Sequence, residues 1–420
     1  MTKLIKYKLL FFLLALANNF IMFSYEFLYP VAAIKHDGKT KIYVLHQKSI
    51  NNIELWLWDP ETKMCSMDLL SSYMPASLRI LPDYSGFSFI DDGRIRIKKF
   101  NKRSPKSIDI YEPVYDISQL NWIDEQNFYI SAKKNNKFCI FHVHENGLIK
   151  PILRDSENMI LDFMYPQKVG NSLFFIERIV RDGQFKKEHV SYKIIKTVYP
   201  DLCSQVKKLN NLLENSLDNS DDFDIKTKAL QDFSDNCEAQ DIARNNCHCL
   251  ADFKHKPIAF LNMISETEGF FLHHQENICK HDEVVIFDYF SLKFANNIWE
   301  NKKLFSFAIP AYLILEAPDS CLYESILPLL PKYHDNKIYY VNFDIKSQNL
   351  NVFSCNLLVN NYNNIEQKSF ILTTQLLFPP IFIDNKAFCG GKIDYSEGCP
   401  IKMWINDENC ICIDLIEIFS

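Results

Sequence analysis

Arg79, Asp116 and Asp162 are the charged residues placed to line a central channel, beside short apolar runs such as Leu78-Arg-Ile-Leu81 and Ile160-Leu-Asp-Phe163. A carboxylate pair helped by an arginine can protonate a leaving group and stabilise the transition state, provided both carboxylates flank one bond. Two carboxylates make a thin set for that chemistry. A second constellation, His273, His274, Cys279, His281 and Asp282, crowds one loop and has the donor types of a metal site. The same residues suit a solvated polar turn, and neither a metal nor another cofactor is expected. His142 and His144 share one strand face but have no third partner.

Thirteen cysteines give the chain an odd count, so at least one is a free thiol or bonds between molecules. Cys203, Cys237, Cys247 and Cys249 fall in one segment, with His248 between the last two. As metal ligands they lack the paired C-x2-C knuckle of zinc sites. As disulfides they would staple the segment. Closing the 46-residue interval from Cys203 to Cys249 would contribute about 4 kcal/mol through loop entropy, before strain. Cys389 and Cys399 flank a turn-rich stretch, Gly390 to Gly398, and form a second candidate staple. Separate thiols are the alternative in both places. Cys139 and Cys355 lie inside apolar strand runs and read as buried thiols. The chain has no G-x-S-x-G elbow, no H-E-x-x-H, no phosphate loop and no dinucleotide glycine pattern.

The elements that must carry these residues repeat. Ile42–His46 with Asn52–Asp59, Gly86–Ile90 with Gly93–Phe100, and Asn127–Ser131 with Lys137–Val143 are successive pairs of β-rich runs. Leu173–Glu177 with His189–Ile195, Gly269–His273 with Glu283–Tyr289, Lys337–Asn342 with Asn349–Ser354, and Lys386–Cys389 with Ile401–Ile405 continue the series. Aligned apolar positions 42, 87, 128, 173, 270, 338 and 388 recur in steps of 41 to 50 residues, apart from two longer steps. A fixed period of this size marks stacked supersecondary units. Most units add an apolar run before and after the pair. Turns such as Pro82-Asp-Tyr-Ser-Gly86 separate the runs. Four strands per unit make a blade, so the expected fold is all-β: a seven-bladed β-propeller, closed radially to limit exposed sheet edges.

Two stretches carry a family resemblance. Asn52-Ile-Glu-Leu-Trp-Leu-Trp-Asp-Pro-Glu-Thr-Lys63 looks like the third strand and turn of TolB-type and WD-repeat blades. Leu81-Pro-Asp-Tyr-Ser-Gly-Phe-Ser-Phe89 is similar to the Ser-Pro-Asp-Gly turn of TolB-type repeats, with the glycine displaced. The resemblance implies a propeller and no particular activity, because function does not follow from fold. The chain departs from both families in having ten glycines in all and no Gly-His signature.

Residues 200–256 break the strand pattern. Leu202, Val206, Leu209, Leu212 and Leu213 follow helical spacing after Pro200-Asp201, which predicts a helical hairpin inserted at the edge of the fourth blade. Blades one to four then span 29–199 and blades five to seven span 257–420. The first 17 residues read as a secretory leader: Lys3, Lys6 and Lys8, an apolar run Leu9–Leu16, and Ala15-Leu-Ala17 before the cleavage point. Residues 18–28 lead into the first blade. An uncleaved anchor is the alternative, though the apolar run is short for a spanning helix.

Hydrophobic residues are 47% of the chain and aromatics 14%, enough for a packed core and too apolar for a disordered chain. The formal charge of −6 shows no basic stripe, so no nucleic-acid partner is expected. The sequence therefore predicts an exported, monomeric propeller in the periplasm or outside the cell, with no membrane span once the leader is removed. It is expected to bind a protein partner or act as a scaffold. The rival is a propeller hydrolase or lyase acting on envelope or host polysaccharide.

Overall fold

The computed structural model describes residues 27–36, 39–49, 52–59, 62, 64–71, 76–83, 85–91, 93–99, 106–110, 113–154, 160–180, 190–198, 247–254, 256–275, 284–310, 330–334, 337–344, 349–356, 381–383, 386–389, 391–392, 401–405 and 409–413. The leader, most of the expected insertion, and Cys203, Cys237, Cys279, His281, Asp282 and Cys399 lie outside the described residues.

Along the chain the described strands are β1 (Phe27–His36), β2 (Lys39–Ser49), β3 (Asn52–Asp59) and β4 (Met64–Ser71), which form the first sheet in sequence order. The second sheet is β5 (Ala76–Ile80), β6 (Gly86–Asp91), β7 (Arg94–Lys99) and β8 (Lys106–Ser107). The third is β9 (Tyr115–Trp122), β10 (Asn127–Lys134), β11 (Lys137–His144) and β12 (Ile149–Arg154). The fourth is β13 (Ile160–Val169), β14 (Ser172–Val180), β15 (Val190–Val198) and β16 (His248–Lys254). The fifth is β17 (Ile258–Met263), β18 (Glu268–His274), β19 (Val284–Ala295) and β20 (Ile298–Pro310). Then come β21 (Lys332–His334), β22 (Lys337–Asp344) and β23 (Asn349–Asn356), and finally β24 (Ile381–Ile383), β25 (Lys386–Cys389), β26 (Gly391–Lys392), β27 (Ile401–Ile405) and β28 (Asn409–Ile413). The last sheet runs β24-β25-β27-β28, while β26 pairs antiparallel with the free edge of β1, Phe27 opposite Lys392.

This is an all-β, propeller-like arrangement of antiparallel sheets, and the described residues include no helix. Residues His248–Lys254 were expected inside the helical insertion, but they form β16, the outer strand of the fourth sheet, with Tyr192 opposite Phe253. The insertion therefore enters between the third and fourth strands of that sheet, after Val198.

The chain divides into two compact units, one of Met1–Met74, Phe307–Ala317 and Glu324–Ser420, the other of Pro75–Ser306 and Pro318–Tyr323. Within the second unit, β5 packs on β9, β9 on β13, and β13 on β17, so the first strands of four successive blades lie side by side. The third sheet shows why its strands are apolar on both faces. Phe128, Ile130, Cys139, Phe141 and Val143 pack against Leu81, Ile90, Ile95 and Ile97 of the second sheet. Their neighbours Tyr129 and Ile140 point the other way, onto Phe163, Leu173 and Phe175 of the fourth. Period-two alternation thus buries both faces of a sheet stacked between two others, and each large side chain removed from water contributes roughly 1.5–3 kcal/mol. Tight hairpins set the register. Asn135 and Asn136 both have positive φ between Lys134 and Lys137, as do Asn296 and Asn297 between β19 and β20, matching the two-residue turns whose twist suits paired strands.

In the first unit the core of the first sheet is Ile42, Tyr43, Val44, Leu45 and Trp58. Buried His46 faces Glu54 across the β2–β3 pair at 3.4 Å, and the Trp56 indole N–H donates to the same carboxylate oxygen at 2.9 Å.

Candidate functional site

The three expected channel residues all fall on first strands: Arg79 on β5, Asp116 on β9 and Asp162 on β13. Their contacts diverge. Arg79 Nε donates to Asn121 Oδ1 at 3.0 Å and its Nη1 to the Leu78 carbonyl at 2.9 Å. Asp116 is exposed, sits at φ 52°, and pairs with Lys133 at 2.7 Å. Asp162 is buried, and its Oδ1 accepts from Ser131 Oγ at 3.2 Å and Ser118 Oγ at 3.4 Å. Burial raises the Asp162 pKa to about 6, with Arg178 and the two hydroxyls pulling the other way. Each charged group is engaged with a different partner.

What the first strands share is a ladder of side-chain amides that the sequence reading missed. Within the second unit a first strand pairs with one neighbour only, so its other edge offers unpaired backbone groups. Gln119 Oε1 on β9 accepts from the Tyr165 N–H of β13 at 2.7 Å. Asn121 Nδ2 donates to the Pro166 carbonyl at 2.9 Å. One blade further on, Gln167 Oε1 accepts from the Met263 N–H at 3.0 Å and its Nε2 donates to the Leu261 carbonyl at 3.2 Å. Backbone groups on the free edges of β13 and β17 are thereby satisfied by the preceding blade. Tyr165 takes φ 53° within a register shift of β13, a conformation that bulky residues rarely adopt, and this presents its N–H to Gln119. A recurring carboxamide late in successive first strands was the available signal.

The second constellation is only partly described. His273 and His274 end β18, and Cys279, His281 and Asp282 lie outside the described residues. Among the described residues, no three His, Cys, Asp or Glu side chains come together as a metal site. His273 is instead part of a hydrogen-bonded cluster around Asp288 of β19, directly cross-strand from it. Asp288 Oδ1 accepts from Lys303 Nζ and Ser306 Oγ, both at 2.7 Å, and Oδ2 accepts from Gln275 Nε2 at 2.8 Å. Burial pushes the Asp288 pKa up, but these three donors more than offset it and leave the group below its ordinary value. His273 is buried, with Phe253 stacked on it at 6.2 Å and Phe290 edge-on at 6.4 Å. Burial holds its pKa down to about 4, against the attraction of Asp288. The pair is a neutral imidazole beside an ionised carboxylate, enclosed by aromatic rings. An aspartate inside the apolar run Val284–Tyr289 was the legible sign that a partner must exist.

His142 and His144, which share a face of β11, have separate amide partners. His142 Nε2 lies 2.8 Å from Asn127 Oδ1, and His144 Nδ1 lies 2.8 Å from Asn146 Oδ1. Of the candidate disulfide residues, Cys247 immediately precedes β16, and Cys249, on β16, is a thiol bonded to the Ala251 carbonyl at 3.4 Å. Burial raises the Cys249 pKa, which disfavours the thiolate. Cys389 ends β25. Cys139 and Cys355 are buried, as read from the sequence.

No family model matches the chain, and no curated protein matches it. Among solved structures, a puromycin-hydrolyzing peptidase from Mycobacterium tuberculosis is similar with a TM-score of 0.52 at 7% identity, over 92% of this chain and 53% of that one. The chain thus spans about half the length of that peptidase, and the likeness is one of fold. Looser likenesses include an oligogalacturonate lyase in complex with manganese, TM-score 0.44 and 10% identity over 78% of this chain and 73% of that one. TolB from Acinetobacter baumannii has a TM-score of 0.40 and 10% identity over 80% of this chain and 61% of that one.

Proposed function

We propose that the protein is an exported seven-bladed propeller that binds a protein partner and performs no catalysis of its own. The observation that carries this reading is the divergence of Arg79, Asp116 and Asp162, each engaged by a different group. A glycoside hydrolase of the usual kind needs two carboxylates flanking one bond. Here one is exposed and tied to a lysine while the other is buried against serine hydroxyls. The pairing of β26 with β1 supports adjacency of the last sheet and the first, because Gly391–Lys392 completes the edge of the first strand. The leader supports export, and rigid discs with clustered loops suit recognition.

The insertion after Val198 is the proposed recognition element. It is the largest departure from the repeat, and it enters between two strands that pair with each other without it. The test is to replace residues 201–245 with a short Gly/Ser linker and compare partner capture from the exported fraction. The deletion should leave the fold intact and abolish capture. A deletion mutant that captures partners as the full chain does would place recognition elsewhere on the disc. An intact protein that captures no partner but turns over a polysaccharide would favour the rival.

A further inference from the structure

Two aspartates are buried among the described residues, and they are held in opposite ways. Asp288 has a lysine ammonium at 2.7 Å, so its charge is countered at contact distance. Asp162 projects from β13 to the third sheet, where its side-chain hydrogen bonds come from two neutral hydroxyls, Ser131 Oγ and Ser118 Oγ. The cation nearest in register is Arg178, opposite Asp162 in the β13–β14 pair. It acts through space, and its Nε is buried with no hydrogen-bond partner. A buried carboxylate held by neutral donors, two hydroxyls and the Phe163 backbone N–H, pays much of its desolvation cost when ionised and little when protonated.

The strands packed against β13 are β9, β10, β11, β14 and β17. Their titratable and charged side chains are Tyr115 and Asp116 on β9, Tyr129, Lys133 and Lys134 on β10, Lys137, Cys139, His142 and His144 on β11, and Glu177 and Arg178 on β14; β17 has none. Asp116 and Lys133 pair with each other, and His142 and His144 are bound to amides. Arg178 is the strongest charge acting on Asp162.

We infer that Asp162 is a proton-sensitive latch between the third and fourth sheets: protonated, it bridges them as a neutral hydrogen-bonding group, and ionised, it leaves a buried charge that loosens the seam. The folded-state pKa, about 6, lies above the ordinary 3.8. The folded state therefore holds this proton more tightly than the unfolded chain does. Its contribution is full below the ordinary value and is lost as pH rises through about 6. A shift of this size corresponds to about a hundredfold in the opening equilibrium.

Hydrogen exchange read by mass spectrometry at about pH 5 and about pH 7.5, corrected for intrinsic rates, tests the latch. Peptides covering β9 and β13 report the seam, and β22, which has no histidine, serves as the reference. Wild-type seam peptides should lose about tenfold in protection at the higher pH relative to β22, because the lower pH already lies above the ordinary 3.8. Asp162→Asn, nearly the same shape, should remove that loss. Arg178→Met should move its midpoint to higher pH, since it removes the charge that favours the carboxylate. A seam that follows the reference strand in wild type would overturn the latch. So would a pH-dependent loss that survives in Asp162→Asn, or a midpoint that Arg178→Met leaves in place.

Discussion

His273 Nδ1 stands 3.7 Å from Asp288 Oδ2, while Nε2 of the same ring is buried with no hydrogen-bond partner. The geometry suits a neutral ring and penalises a protonated one, because the second N–H would have no acceptor. Burial accordingly holds the pKa to about 4, below the ordinary 6.5, with Asp288 opposing. The folded state binds this proton less readily than the unfolded chain. Its contribution to stability is present above about 6.5 and is lost as pH falls toward 4. His142, also buried and held at about 4, acts in the same direction. Chemical denaturation midpoints should therefore fall through this window, and His273→Phe should flatten part of the fall. A His273→Phe profile parallel to wild type would show that this ring does not titrate with folding.

Asp288 should be the most sensitive residue of the same cluster. Lys303, Ser306, Gln275 and His273 all converge on its two oxygens. Asp288→Ala would leave donors without their common acceptor and is expected to cost about 3–5 kcal/mol. Asp288→Asn keeps one acceptor oxygen and should cost less. Urea unfolding of both variants measures the difference, and equal costs would mean that the charge of Asp288 carries the whole effect and the retained oxygen adds nothing.

Much of the strand pattern was legible because burial on both faces enforces apolar alternation. Asn52–Asp59, Lys386–Cys389 and Ile401–Ile405 were read at the residues where β3, β25 and β27 now stand. His248–Lys254 was not, because Cys-Leu-Ala-Asp-Phe has no β-branched residue and follows a long non-strand segment. Its strand character comes from pairing with β15, a partner more than fifty residues earlier in the chain. The pairing of Gly391–Lys392 with β1 was hidden for the same reason, since two residues carry no period. The polar sites failed differently. Arg79, Asp116 and Asp162 stand on first strands, but a sequence does not show which neighbour a charge will choose. Asn121, Lys133 and the two serines made that choice.

The β13–β14 turn offers a sharp test of local geometry. Gly170 has φ 58°, and a Cβ there would lie 2.5 Å from Glu266 Oε1, an oxygen that accepts from the Asn171 N–H and from Ser172 Oγ at 3.2 Å. Gly170→Ala should therefore cost about 1–2 kcal/mol for the left-handed backbone, plus the disturbance of Glu266. In a double-mutant cycle with Glu266→Ala, the second part should vanish and the first remain. Strict additivity in the cycle would show that the glycine is needed for its backbone alone.

The amide ladder predicts a distinctive phenotype at Gln167. Its two hydrogen bonds reach Leu261 and Met263 across an interval of more than ninety residues that contains the whole insertion. The Met263 N–H lies on the free edge of β17, where Gln167 supplies its acceptor. Gln167→Ala should expose or strand that N–H, costing about 1–3 kcal/mol and lowering its exchange protection more than that of the β18 amides. Gln167→Glu keeps the acceptor for Met263 but sets a carboxylate against the Leu261 carbonyl. At neutral pH it should cost at least as much as alanine, and part of the loss should return on acidification, when the protonated acid can donate again. Site-resolved exchange at Met263 distinguishes the two variants. If Gln167→Ala lowered global stability but left the Met263 amide as protected as before, the contact between the fourth and fifth sheets would rest on packing, and the ladder would be incidental to it.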